Sequence, residues 1–340
     1  MAKQTPPIIT LLSLLILLFM ISITTEGTKK SSYEKLFVFG DSYADTGNFL
    51  NSPSYKPPYG ITFPHQPSGR FSDGRVLTDY IASSLKIKSP APYSLRNSSD
   101  LQFGINFAYG GTGVFDTFLK GPNMTIQINS FEEIIKQNIY TKSDIDYSVA
   151  LVTVAGNDYF QYLFKDGKNI KEILDFSASL INQLSINLKR IHNVGINKIK
   201  IGLLEPVGCL PVITKTYDKC NDTINMLVMK HNELLLQTVE DLNKESKSVF
   251  VTLDLYKSFL SVIETMQKKH YGNSRVANVL RPCCVPESSN YQCGSVDERG
   301  EKRYSLCDNP ESSFFWDDFH PTQNGWDAVY KMVQTSLSLI

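Results

Sequence analysis

The sequence carries no excess charge of either sign. Its 340 residues include 34 Lys+Arg and 34 Asp+Glu, a formal net charge of zero. No Lys/Arg-rich run creates a local field either, so a nucleic-acid partner is not expected. There is no Cys-x-x-Cys spacing and no paired histidine, which argues against a zinc site, the alternative use of the cysteines. No metal or organic cofactor is expected. Past residue 23 no stretch is apolar enough to span a bilayer. Internal repeats and interdomain linkers are also missing. What is present is 42% hydrophobic and 20% charged residues, enough to bury a large core and unlike a disordered or collagen-like chain.

The N-terminus stands apart from this pattern. Lys3 precedes an apolar run from Ile8 to Ile23, followed by Ser22, Thr24, Thr25, Gly27 and Thr28. That layout is a secretory signal peptide. A retained anchor is the rival reading, but the run is shorter than the roughly 20 residues a spanning helix needs. Residues 1–27 are read as the signal peptide, with the mature start between Thr25 and Ser32, and residues 28–340 as a single domain without a transmembrane anchor. Three acceptor sequons agree with export, at Asn97, Asn123 and Asn221. So does the even cysteine count: Cys209, Cys220, Cys283, Cys284, Cys293 and Cys307 are expected as disulfides. Sequence proximity pairs Cys209 with Cys220 and leaves the order of Cys283 and Cys284 with Cys293 and Cys307 open.

Further along, strands alternate with helices. Apolar or β-branched runs at Lys35–Phe39, Phe103–Ala108, Ser148–Val154, Ile199–Leu204 and Val249–Asp254 read as strands. Helical spacing runs from Gly74 to Leu85, from Ile224 to about Leu242 and from Asn324 towards Leu339. The strongest helix is apolar at Ile170, Ile173, Leu174, Leu180, Ile181, Leu184, Leu188 and Ile191 and stops at Gly195. Asn51–Arg70 and the segment between Cys283 and Pro310 read as loops. This order predicts an α/β fold, a three-layer α/β/α sandwich on a parallel sheet. Ligands of such sheets sit beyond the carboxyl ends of the strands. Gly40-Asp-Ser, Gly110-Gly-Thr-Gly and Gly156-Asn-Asp all fall there.

Taken alone, each of these is weak. Asp and Ser at a strand end commonly satisfy turn backbone, and Asn157 commonly serves a turn. Tyr109-Gly-Gly-Thr-Gly lacks the Lys-Ser/Thr of a phosphate loop and does not match Gly-x-Gly-x-x-Gly; its glycines let backbone N–H groups approach a ligand. Among the five histidines, His192 and His231 lie in helical patterns, His65 in the Pro-rich loop and His270 near a helix end. His320 differs, because Asp317 precedes it by three positions, close enough to orient an imidazole. Together the pieces make an acyl-transfer set of hydroxyl, base, carboxylate and oxyanion donors.

The chain resembles the plant GDSL-type esterase/lipases, or SGNH hydrolases. The resemblance rests on Phe39-Gly-Asp-Ser-Tyr-Ala-Asp-Thr-Gly-Asn, Gly69-Arg-Phe-Ser-Asp-Gly-Arg, Asn106-Phe-Ala-Tyr-Gly-Gly-Thr-Gly, Gly156-Asn-Asp-Tyr, Pro206-Val-Gly-Cys-Leu-Pro and Phe315-Trp-Asp-Asp-Phe-His-Pro-Thr. These blocks run in family order from residue 36 to the last helix. The resemblance implies a flavodoxin-like sheet, Ser42 as nucleophile, His320 as base and Asp317 as its acid, with Asp318 the rival to Asp317. It implies oxyanion donors at the Ser42 N–H, the Gly110 N–H and the Asn157 amide, with Gly111 replacing Gly110 if the turn shifts by one. Asp45 and Asn48 would brace the turn. Two departures are Cys283-Cys-Val-Pro, where the family has Cys-Cys-Gly, and Tyr109, where a small residue is common.

The expected activity is hydrolysis of a carboxylic ester (lipid, acetylated polysaccharide or small ester) by a secreted, monomeric enzyme of the apoplast, cell wall or vacuole. Alternatives are an acyltransferase, an inactive secreted binding protein and, more remotely, a glycosidase, though no acid pair is singled out by position. The serine chemistry needs a neutral imidazole at the start, so activity should fall below about pH 6.5, the reference histidine value. A pH–rate profile flat down to pH 5 would contradict it.

Overall fold

The structure, a computed structural model, describes residues 33–165, 172–215, 218–246, 249–270 and 279–338. The expected signal peptide, Ile170 and Leu339 lie outside them. Strand β1 (Lys35–Gly40) is buried at every position, as is β4 (Ser148–Thr153). Continuous apolar runs of this kind suit strands covered on both faces. The two pair in parallel from Lys35 opposite Ser148 to Gly40 opposite Thr153. With β2 (Ala91–Pro92), β3 (Ile105–Asn106), β5 (Ile199–Gly202) and β6 (Phe250–Leu253), they form one sheet in the order β2-β3-β1-β4-β5-β6. Every pairing is parallel. Without the two-residue edge β2, this is the 2-1-3-4-5 order of flavodoxin-like folds, whose switch point lies beside the first strand.

Among the described residues, the six helices of eight or more residues fall into two groups. Met124–Lys136, Ile173–Asn193 and Asp222–Ser246 pack in succession, while Gln323–Ser338 packs on both Leu77–Ser84 and Leu255–His270. The α/β/α sandwich expected from the sequence is the fold observed. The helix Ile173–Asn193 buries Ile173, Leu180, Ile181, Leu184, Leu188 and Ile191. Leu174, expected on that face, is exposed at the first turn. Gly195 ends the helix region with φ +120° and donates its N–H to the His192 carbonyl.

Three features differ from the sequence reading. β3 is shorter than Phe103–Ala108, because Asn106 Oδ1 accepts the Ala108 N–H at 2.9 Å and bends the chain. The helix Met124–Lys136 was not expected; Asn123 caps it by accepting the Ile126 N–H. The segment after Cys283 holds an antiparallel hairpin of β7 (Cys284–Pro286) and β8 (Tyr304–Leu306). The departure at Val285-Pro286 is thus a strand.

The disulfides are Cys209–Cys220, Cys283–Cys307 and Cys284–Cys293. The last two bind the hairpin into a small satellite core with Tyr59, Tyr304 and Trp316. Of the three sequons, Asn97 and Asn221 are exposed. Asn123 is half-buried, and its amide nitrogen donates to Asp116 at 2.7 Å.

Gly40 carries the close approach that joins β1 to the turn beyond it. At φ +152°, a Cβ there would lie 2.3 Å from the Thr153 carbonyl oxygen. The Gln127 side chain extends the ladder, accepting from the Gly40 N–H and donating to its carbonyl. Gly40→Ala should therefore cost at least about 1–3 kcal/mol of stability, as overpacking does. A urea midpoint unchanged from wild type would contradict this.

Candidate active site

Beyond Gly40 the sheet ladder makes one more bond, from the Asp41 N–H to the Thr153 carbonyl. The chain then curls. Ala44 and Asp45 donate to the Asp41 carbonyl, and Tyr43 donates to the Asp41 side chain. Ser42 sits at the head of this turn, and among the described residues no group accepts its N–H. Its hydroxyl lies 2.8 Å from His320 Nε2.

His320 arrives from the other end of the chain. The loop before the helix Gln323–Ser338 folds back on itself, with the Trp316 N–H donating to the His320 carbonyl at 2.7 Å. Asp317 Oδ1 accepts the N–H groups of Phe319 and His320, both at 2.9 Å. Both carboxylate oxygens meet His320 Nδ1, at 2.8 and 2.9 Å. An ionised carboxylate only accepts, so Nδ1 carries the proton and Nε2 accepts from the Ser42 hydroxyl. Asp318 points elsewhere, its carboxylate 3.8 Å from Lys215.

Asn157 opens the short helix Gly156–Phe160 and donates from Nδ2 to the Thr112 carbonyl at 3.0 Å. That leaves the second amide hydrogen free. Gly110 is placed differently from expectation. Its N–H donates to Asp45 Oδ2 at 2.9 Å, so this donor is occupied. The N–H of Gly111 has no acceptor among the described residues. Gly111 has φ +80°, and a Cβ there would collide with Leu119. Both glycines border a cleft of about 730 Å³ that also exposes Ser42, Asn157, Asp317 and His320. Its apolar walls include Phe49, Phe71, Phe118, Leu119, Phe160 and Phe319. Tyr109 stacks on Phe49.

The GDSL-like Lipase/Acylhydrolase family pattern matches residues 36–333. The chain belongs to that family. Among its relatives, GDSL esterase/lipase At5g03610 of Arabidopsis thaliana is 50% identical over 89% of this chain and 87% of its own length. GDSL esterase/lipase At3g09930, from the same plant, is 48% identical over 92% and 90%. At 38% identity, GDSL esterase/lipase At2g36325 covers 92% of this chain and 91% of itself. As a member of this family the chain is a carboxylic ester hydrolase.

Several side chains of this GDSL hydrolase were invisible as site residues in its sequence. Tyr59, buried in the Pro-rich loop, donates its hydroxyl to Asp317 Oδ2 at 2.7 Å. Asp158 accepts the N–H groups of Val114 and Phe115 at 2.9 and 2.8 Å and so holds the loop after Gly113. Glu205 borders the cleft just before Pro206. Asp45 and Asn48, expected as braces, do more than hold their own turn. Asn48 donates to the Asn106 and Ala108 carbonyls, tying the turn after β1 to the end of β3. His231 is a buried helix residue in contact with the Tyr159 hydroxyl at 2.9 Å.

Burial dominates the electrostatics around Ser42. It pushes the Asp317 carboxyl up, but His320, the Phe319 N–H and Tyr59 reverse that and hold it below the usual carboxylate range. Burial and the neighbouring Glu205 charge drive Asp41 well above that range. Burial also lifts Asp45 to about 6, Asp158 to about 7 and Glu205 to about 7. In the unfolded chain carboxyls titrate near about 4. Asp158 and Glu205 therefore lend the fold stability that is complete below about pH 4 and is lost as the pH rises through their folded values. His231, pushed down to about 3 by burial, works in the opposite sense, but only below about pH 6.5. The melting temperature should fall between pH 6.5 and 8, and Glu205→Gln should flatten that slope. A melting temperature that rises over this interval would overturn the assignment.

Proposed function

We propose that the chain is a secreted serine esterase that cleaves carboxylic esters through an acyl-enzyme, with Ser42, His320 and Asp317 as its triad. The observation that carries this reading is the unbroken hydrogen-bond line from Ser42 Oγ to His320 Nε2 at 2.8 Å and from His320 Nδ1 to Asp317 at 2.8 Å. It lies at the edge of a cleft walled by aromatic side chains.

The chemistry follows from the atoms in place. His320 Nε2 takes the Ser42 hydroxyl proton as Oγ bonds to the ester carbonyl carbon. Asp317 stays ionised and stabilises the imidazolium. Negative charge develops on the carbonyl oxygen, where donors strengthen their bonds in the transition state. The donors are the free Ser42 N–H, the second hydrogen of the Asn157 amide and the Gly111 N–H. Gly111 takes the place first expected for Gly110, whose N–H is held by Asp45. Collapse breaks the C–O bond, and the departing alcohol takes the proton from His320. Water then attacks the acyl carbon with His320 again as base, releasing the acid and restoring Ser42. With an alcohol in place of water the same site would transfer the acyl group.

Export is supported by three disulfides, which persist in oxidising compartments. Exposed sequons at Asn97 and Asn221 agree with it. Among the described residues no helix is long and apolar enough to cross a membrane. The names of the relatives, esterase/lipase, support an ester with an apolar acyl or aryl group, which the phenylalanine walls of the cleft suit.

A fluorophosphonate probe should label Ser42, and Ser42→Ala should abolish both labelling and ester turnover. Asn157→Ala should retain labelling sites and fold while losing on the order of 10²–10³ in kcat, the usual cost of one oxyanion donor. Full ester turnover in Ser42→Ala, or absence of labelling in folded protein with its disulfides intact, would refute the serine mechanism. The second result would favour an inactive binding protein.

A further inference from the structure

The cleft is unbalanced in charge. Asp41, Glu205, Asp317 and Asp318 border it, and among the described residues no Lys or Arg does. Two of these acids are already satisfied: Asp317 by His320 and Tyr59, and Asp318 in part by Lys215. Glu205 is only 7% exposed and among the described residues forms no ion pair. Its carboxyl lies 3.3 Å from where a side chain on Gly156 would begin, beside the turn that carries Asn157. The polar groups that meet it are its own backbone N–H and the Tyr43 hydroxyl, which also lies 3.0 Å from the Phe319 carbonyl. These neutral donors ease the charge of an ionised Glu205 without cancelling it, and the cation that acts on it is His320 when charged. A buried carboxylate left in this state calls for a positive partner.

We propose that Glu205 sets the charge preference of this hydrolase: its carboxylate favours esters bearing a cationic group near the cleaved bond and turns away those bearing an anionic one. This deepens the serine-esterase reading and rests on it. The aromatic rings of Phe160 and Phe319, edge to face in the same cleft, offer further surface to a cation.

The titratable groups around Glu205 are Asp41 and Tyr43 beyond β1, Asp158 in the helix after β4, and Asp317, Asp318 and His320 in the loop before the last helix. A ratio of rates between matched substrates separates them. Protonation of His320 scales all esters alike and cancels, and Glu205→Gln removes the contribution of Glu205 while leaving Asp41 in place.

Two substrate series test this. In one, butanoate esters carry alcohols ending in trimethylammonium, tert-butyl or carboxylate; in the other, the same three endings close the acyl chain of a methyl ester. In at least one series, wild type at pH 8 should show kcat/KM for the cationic ester about tenfold or more above that for the anionic one, with the neutral ester between. The ratio should shrink in wild type at pH 6, a comparison that needs no variant, and approach one in Glu205→Gln. If the tert-butyl esters are hydrolysed but cation and anion rank alike in both series, this inference falls and the esterase reading stands. A wild-type ratio that persists in Glu205→Gln has the same meaning. If wild type hydrolyses none of the six esters, the esterase reading fails and takes this inference with it.

Discussion

The Asp45 carboxylate is buried and accepts four backbone N–H groups: those of Gly47, Asn48 and Phe49 from its own turn, and that of Gly110 from the loop after β3. A buried charge without donors is costly, whereas one with several is held in a single place. Satisfying Asp45 therefore adds to the bonds that already link these two strand ends, from the Tyr109 N–H to the Gly40 carbonyl and from Asn48 to the Asn106 and Ala108 carbonyls. The geometry of the Ser42 turn and of the glycine loop beside it both follow from this knot. The same bond removes Gly110 from the set of free donors and turns attention to Gly111.

The proposed base is held by separate means. His320 is separated from Ser42 by 278 positions, and nothing in the sheet reaches it directly. Its loop is pinned from within by Asp317, and from outside by Tyr59, which connects the acid of the proposed triad to the Pro-rich loop. Tyr59 in turn packs in the satellite core that contains Trp316 and the Cys284–Cys293 and Cys283–Cys307 disulfides. The proposed nucleophile thus belongs to the sheet and the proposed base to the disulfide-bound periphery, with the Tyr43 hydroxyl bridging from the Ser42 turn to the Phe319 carbonyl. Their alignment depends on how those two bodies dock.

Much of this was legible in the amino-acid order because the signals are local. The largely apolar runs of β1 and β4, the turn residues at their ends, the Gly195 stop and the three-residue interval from Asp317 to His320 each express short-range chemistry. What stayed hidden is long-range. Tyr59 meets a carboxylate 258 positions away, and no local pattern marks it. The choice between Gly110 and Gly111 depended on which N–H Asp45 would capture. The order of pairing at Cys283 and Cys284 depended on the hairpin that β7 and β8 make. Glu205 carries no local signal, since its significance comes from a cleft that no Lys or Arg borders among the described residues.

The placement of β1 has a consequence for how the protein is made. β1 is translated first of all the strands, yet it lies between β3 and β4 and cannot be flanked until both have been synthesised. His320 follows later still, just ahead of the last helix. During translation the growing polypeptide therefore carries Ser42 for almost its whole passage without the imidazole that would activate it. On the proposed mechanism the serine stays chemically quiet until the ribosome has nearly finished, and in a prematurely terminated chain it remains so.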